Sequence, residues 1–110
     1  MIRRLEELAD ESAIPIVNFG HAGDGNIHVN ILVDMKEEGV ARRVEVLLEK
    51  VFAAALELGG SISGEHGIGV AKQRYLKMEL TSATIDCMRK IKQALDPQNI
   101  LNPGKIFPAS

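Results

Sequence analysis

A β-hairpin is predicted by the stretch Gly20-His21-Ala22-Gly23-Asp24-Gly25-Asn26-Ile27-His28-Val29-Asn30. Residues 14–20 are largely apolar and β-branched, with one asparagine among them, and polar and apolar residues alternate over residues 26–33. Alternation with period two is typical of a strand that buries one face. The glycines of the intervening segment, residues 22–25, tolerate the positive φ that a tight turn requires.

The hairpin also predicts a polar face. We expect His21 to pair with Asn26 and Phe19 to pair with His28. Residues that lie directly opposite each other in an antiparallel pair share a face. That face then holds His21, Asn26, His28 and Asn30. The two histidines become diagonal neighbours, with Cβ atoms about 7–8 Å apart, and two imidazoles can lean from there onto one metal ion. The alternative is that each is an ordinary packed strand histidine.

The third histidine, His66, lies in a second glycine-rich cluster, Gly64-Glu65-His66-Gly67-Ile68-Gly69. We expect the two clusters to meet in space and to form a metal and substrate site, since the chain has three histidines and all lie in them. Neither cluster is a nucleotide loop, because the Gly-Lys-Ser/Thr ending and the dinucleotide-binding spacing are both missing.

Composition limits the class of protein. The 110 residues are enough for one domain with its own core. The net charge of −2 does not favour nucleic-acid binding. Cys87 is the only cysteine, which excludes an internal disulfide and favours a reducing, cytoplasmic location. No apolar run reaches the roughly 18 residues that suggest a membrane span.

The hydrophobic periodicity predicts an α+β fold. Helices are expected over residues 2–12, 40–58 and 82–95, with one helical turn within 75–80, and strands over 14–21, 26–34 and 61–63. In the last helix the expected buried stripe is Ile85, Met88, Ile91 and Leu95. The order α-β-β-α-β-α predicts a small antiparallel sheet with helices on one face, a ferredoxin-like fragment. Its open edges favour a homo-oligomer or a larger assembly.

Three motifs in this order resemble the C-terminal domain of FAD-linked oxidases: the hairpin stretch, the cluster at residues 64–69, and Asp96-Pro97-Gln98-Asn99-Ile100-Leu101-Asn102-Pro103-Gly104-Lys105. Members of that family include the glycolate oxidase FAD subunit, D-lactate dehydrogenase and D-2-hydroxyglutarate dehydrogenase. The resemblance implies oxidation of a D-2-hydroxy acid, glycolate or D-lactate, to the 2-oxo acid by FAD. It also implies that a separate domain or subunit holds most of the flavin.

The resemblance implies specific roles for the clustered residues. His21, His28 and Glu65 are expected to bind a divalent metal, which we expect to be zinc, although imidazole and carboxylate also suit manganese and iron. His66 is expected to be the catalytic base and Asn30 a substrate contact.

The resemblance also implies what surrounds the chain. Residues 1–110 are expected to be the C-terminal part of the substrate and metal domain, with the FAD-binding domain absent. The expected partners are that domain or subunit and a small 2-hydroxy acid. The expected location is cytoplasmic, with peripheral attachment to the inner membrane through partner subunits as the alternative. By itself the chain is expected to bind no FAD tightly and to oxidise nothing.

Two other functions remain open. A truncated paralogue of an oxidase could retain this fold, and even the metal, as a non-catalytic binding or assembly module. A metal-dependent hydrolase could use the same His-His-Glu site, but neither a second metal cluster nor a nucleophile motif supports it.

Overall fold

The computed structural model describes residues 1–108. The described residues divide into two compact units, of which the first is Met1–Glu65 and the second begins at His66. The first unit contains the hairpin, and the second contains the last long helix.

The first unit begins with an amphipathic helix, α1 (Ile2–Ser12). Leu5 and Leu8 are 0% and 1% exposed, because residues three or four apart lie on the same helix face. The helix ends where Ala13 adopts a left-handed conformation, with φ of 57°. Its bounds match the helix predicted over residues 2–12.

The hairpin consists of β1 (Ile16–His21) and β2 (Asn26–Ile31), which pair in antiparallel orientation. The first strand starts directly after Pro15, whose ring nitrogen cannot donate a hydrogen bond. A 3-10 turn (Ala22–Asp24) joins the strands. Gly25 follows it with φ of 68° and donates its N–H to the carbonyl of Ala22 at 3.2 Å. This is the glycine turn that the sequence predicted.

The second helix, α2 (Val40–Glu57), completes the core of this unit. Its buried side chains Leu47, Val51 and Ala54 join those of α1 and Ile14 in one cluster. The apolar face of the hairpin packs against that cluster through Ile16, Ile27, Val29 and Ile31. The predicted α+β arrangement, with helices on one face of an antiparallel sheet, is therefore confirmed for this unit.

The strand predicted at residues 61–63 is not present. Within the described chain the sheet has two strands. The hydroxyl of Ser61 accepts the backbone N–H of Ser63 at 3.3 Å, and such local serine bonds compete with strand pairing. The segment is instead an irregular connection that leads from the end of α2 to Glu65.

The second unit contains a 3-10 turn (Gln73–Tyr75), the single helical turn α3 (Leu76–Glu79) and the longer helix α4 (Ser82–Leu95). Thr81 caps α4 by accepting the backbone N–H of Thr84. The tail packs down on this unit, because the Gln73 side chain donates hydrogen bonds to the backbone carbonyls of Gly104 and Phe107.

The predicted buried stripe of α4 is wrong over the C-terminal half of the helix. Ile85 is 4% exposed, but Ile91 and Leu95 are 58% and 79% exposed. Apart from α4, the described part of this unit has only short turns and an irregular tail, and these are too small to cover the whole stripe.

A membrane-spanning helix needs about 20 largely apolar residues, and none of the helices in the described part of the chain meets that requirement.

Candidate metal centre

The strand register places both hairpin histidines on one face of the sheet. His21 lies opposite Asn26, and His28 lies opposite Phe19, as the sequence predicted. The imidazole rings have centroids 6.0 Å apart and planes at 75° to each other. Because the hydrophobic cluster lies against the other face, both rings are directed away from the core.

Glu65 reaches the same histidines from the segment that follows α2. The N–H of Gly60 bonds to the carbonyl of Ala55 at 2.8 Å and closes the helix end. Oε1 of Glu65 lies 3.3 Å from Nε2 of His28. One ligand atom from each of His21, His28 and Glu65 lies within 4.8 Å of the other two. The structure therefore brings together residues from both glycine-rich clusters.

These three side chains fit a divalent metal. Two imidazole nitrogens and one carboxylate oxygen form a donor set typical of catalytic zinc sites, which keep a coordination position open. Donors at about 2.0–2.2 Å from such an ion lie at most about 4.4 Å apart, so small side-chain rotations would close the set. The side chains of His28 and Glu65 are 20% and 47% exposed, which leaves room for these rotations.

Phe19 contacts a candidate ligand, a role that its residue type alone does not indicate. Its ring stacks on His28, with centroids 4.9 Å apart and an interplanar angle of 27°, while 62% of Phe19 remains exposed. The stack limits the orientations open to the imidazole and shields one of its faces from water. The strand register was the available signal, since it places Phe19 directly opposite His28.

The two remaining predicted site residues lie near the three ligands in sequence. Asn30 is exposed and lies two positions after His28 on β2, so it shares the face of the histidines. His66 is exposed, follows Glu65 directly and is the first residue of the second unit. Residues 64–66 form a bend and not a strand.

A groove of about 770 Å³ lies in the first unit between the start of α1 and the hairpin. Its lining includes Leu58, Asn18, Phe19 and Asn26. None of the three candidate ligands, all of which are described, lines the groove. On its wall, Oδ1 of Asn18 is buried without a hydrogen-bond partner among the described residues. The candidate metal site is therefore the donor set and not this groove.

Comparison with known proteins gives the family. The model of the FAD linked oxidases, C-terminal domain, matches residues 1–106. Glycolate oxidase subunit GlcD of Bacillus subtilis is 46% identical over 107 residues, which cover 97% of this chain and 23% of that protein.

Two D-lactate dehydrogenases are similar to the same extent. That of Anaerostipes hadrus is 45% identical over 102 residues, covering 92% of this chain and 22% of that protein. That of Archaeoglobus fulgidus is 46% identical over 104 residues, covering 94% and 23%. The chain thus spans less than a quarter of the length of these curated relatives. It belongs to the C-terminal domain family of FAD-linked oxidases.

Proposed function

We propose that this chain is the metal- and substrate-binding part of an FAD-dependent 2-hydroxy acid dehydrogenase. The observation that carries the proposal is the convergence of His21, His28 and Glu65, whose ligand atoms lie within 4.8 Å of one another. The relatives' names support the substrate class, because glycolate and D-lactate are both 2-hydroxy acids. The partner that completes the enzyme is an FAD-binding domain or subunit, and the assembly is homo-oligomeric.

In this proposal the metal is a divalent ion, zinc, and its ligands are His21, His28 and Glu65. When bound, it supplies Lewis acidity that lowers the pKa of a coordinated hydroxyl. Two neutral imidazoles and one carboxylate carry a single negative charge. A divalent ion bound to them therefore keeps a net positive charge at the site. That charge favours an anionic substrate over a neutral alcohol.

The remaining residues orient the acid and move its proton. Asn30 lies on the same strand face as the histidines and offers a side-chain N–H to a substrate carboxylate or hydroxyl. His66 accepts the hydroxyl proton on a ring nitrogen, because a neutral imidazole has one ring nitrogen without a hydrogen. FAD, when bound by the partner domain, supplies the acceptor for the hydride that leaves the α-carbon.

Metal analysis of the purified chain tests the ligand assignment. Protein prepared without chelator should contain one equivalent of divalent metal by elemental analysis. His28→Ala should lose it, because only one imidazole and one carboxylate remain. Asn30→Ala is the matched control, since it alters the same strand face two residues away and should keep the metal. Full metal content in His28→Ala would overturn the assignment.

A spectroscopic test addresses the division of labour between the chain and its partner. The sequence offers no Gly-rich phosphate loop, and a flavin enzyme needs a dedicated cofactor site. The purified protein should therefore be colourless and should not reduce a dye with glycolate or D-lactate. Stoichiometric FAD that survives gel filtration would show that this chain is a different part of the enzyme from the one proposed.

A further inference from the structure

The side chain of Asn26 lies directly against the backbone of Gly64. A Cβ atom added to Gly64 would overlap Oδ1 of Asn26 and would lie 2.8 Å from its Cγ and 3.4 Å from its Nδ2. Gly64 is not among the glycines with positive φ. A glycine is therefore needed here for space and not for backbone conformation, and the group that fills the space is one amide side chain.

Asn26 is itself held in place by the hairpin. It pairs with His21 across the ladder. A Cβ atom on Gly20 would overlap the carbonyl oxygen of Asn26 and would lie 3.0 Å from Cα of Ile27. β1 thus closely approaches the backbone of Asn26, so the hairpin fixes the point from which its side chain extends to Gly64.

We propose that Asn26 is a positioning residue that seats Gly64 against the hairpin and so holds the Glu65 carboxylate in reach of His21 and His28. The inference rests on the proposed metal-binding function of these three residues. Gly64 precedes Glu65 directly, so displacing its backbone from Asn26 also moves the Cα atom from which the Glu65 side chain reaches the histidines. Metal–ligand distances tolerate deviations of only about 0.2 Å. Metal affinity is therefore a sensitive measure of the contact between Asn26 and Gly64.

Zinc titration of chelator-treated protein by calorimetry tests the proposal. Gly64→Ala should weaken zinc binding about 10–100-fold, the range found when groups that orient ligands are altered. Gly23→Ala is the matched control, because Gly23 lies in the hairpin turn without a positive φ and a Cβ there meets no atom within 4 Å. Its affinity should equal that of the wild type.

A double variant separates positioning from general damage. Asn26→Ala removes the overlapping amide atoms, so Asn26→Ala combined with Gly64→Ala has room for the new methyl group, which takes up part of the vacated space. Each single variant should weaken binding, and the double variant should bind more tightly than Gly64→Ala alone. Such a deviation from additivity is the signature of two residues in contact.

The outcomes distinguish this inference from the proposed function. Wild-type protein that binds no zinc would refute the metal site and, with it, the positioning role of Asn26. Two results would overturn the positioning role alone. One is a zinc affinity that Gly64→Ala leaves unchanged, and the other is a double variant whose loss of binding free energy equals the sum of the two single losses. Circular dichroism verifies folding, and if Gly64→Ala does not fold, Asn26→Ala carries the test because it removes atoms without adding any.

Discussion

Glu65 and Asp96 are acidic residues that follow the two long helices, α2 and α4, and their surroundings differ sharply. Asp96 is 7% exposed. Its carboxylate accepts two backbone N–H groups of the loop that follows, at 3.1 and 3.0 Å, and an ammonium hydrogen of Lys92. Glu65 has a side chain that is 47% exposed and faces the imidazole of His28.

The difference lies in what each carboxylate is bound to. The oxygens of Asp96 are used by backbone and lysine donors, which close the loop after α4 and stabilise the fold. Those of Glu65 lie beside two imidazoles, which are metal ligands as readily as hydrogen-bond partners. We therefore expect Asp96 to control the stability of the second unit and Glu65 to control the binding chemistry of the first.

The largest effect should come from the residue next to Glu65. In enzyme reconstituted with a flavin domain, His66→Ala should lower turnover about 10²–10⁴-fold, the range for loss of a general base. Its metal content should stay unchanged, since the proposed ligand is Glu65 and not its neighbour. Steady-state kinetics with glycolate and D-lactate, together with elemental analysis, measure both. An unchanged rate would remove His66 from the mechanism.

Glu65→Gln tests the binding half of the comparison. It keeps the size of the side chain but removes the negative charge, so zinc affinity should fall by at least about 10–100-fold. The unfolding free energy without metal should change by less than about 0.5 kcal/mol, as for most exposed sites. Glu49→Gln, an exposed position on α2, is the control for charge alone. A large loss of stability in Glu65→Gln would contradict the distinction drawn between the two carboxylates.

Asp96→Asn tests the structural half. The amide cannot accept from all three donors, so the thermal midpoint should fall by a few degrees, while zinc affinity should be unaffected. Asp86→Asn, on the exposed surface of α4, should leave the midpoint unchanged. Calorimetric melting of both variants and the wild type decides the matter, and equal midpoints would show that the Asp96 network contributes no stability.

The smallest effect is a pH dependence. The hydrogen bond from Lys92, followed by those from the backbone of Leu101 and Ile100, holds the pKa of Asp96 below its ordinary value of 3.8. The unfolded chain therefore binds a proton at higher pH than the folded chain does. The contribution of Asp96 to stability is present above the unfolded pKa of 3.8 and is lost as pH falls through the lower folded pKa.

Urea unfolding between about pH 5 and pH 2 measures this loss. The stability gap between the wild type and Asp96→Asn should narrow as the solution becomes more acidic. A gap that stays constant over that range would mean that the ionised form of Asp96 makes no special contribution.

The hairpin and its histidine pair could be predicted because these depend on local rules. Period two assigns faces, and the Ala-Gly-Asp-Gly turn sets which residues oppose each other. His21 and His28 could therefore be placed on one face from residue order alone. The grouping of all three histidines in two clusters predicted that the second cluster meets the hairpin. The choice of Glu65 as the ligand came from the family resemblance and not from spacing, because chain direction after α2 depends on tertiary packing.

Three features could not be predicted from local patterns. The Ser61 hydroxyl bonds to Ser63 and replaces the expected third strand, although the residue types suited a strand. Ile91 and Leu95 follow a helical stripe but remain exposed, since periodicity does not say whether anything covers it. The carboxylate network of Asp96 requires the loop after α4 to fold back, and the sequence indicated only that the helix stops there.

The alternation of the hairpin has a consequence for how such a domain can evolve. Point substitutions on the outer face alter ligands one at a time and leave the buried face in place. Inserting or deleting a single residue within β2 beyond His28 would instead exchange the two faces of the strand from that point. Val29 and Ile31 would then turn toward solvent and Asn30 toward the core. Variation in length should therefore accumulate outside the hairpin, while the strands themselves diverge by substitution.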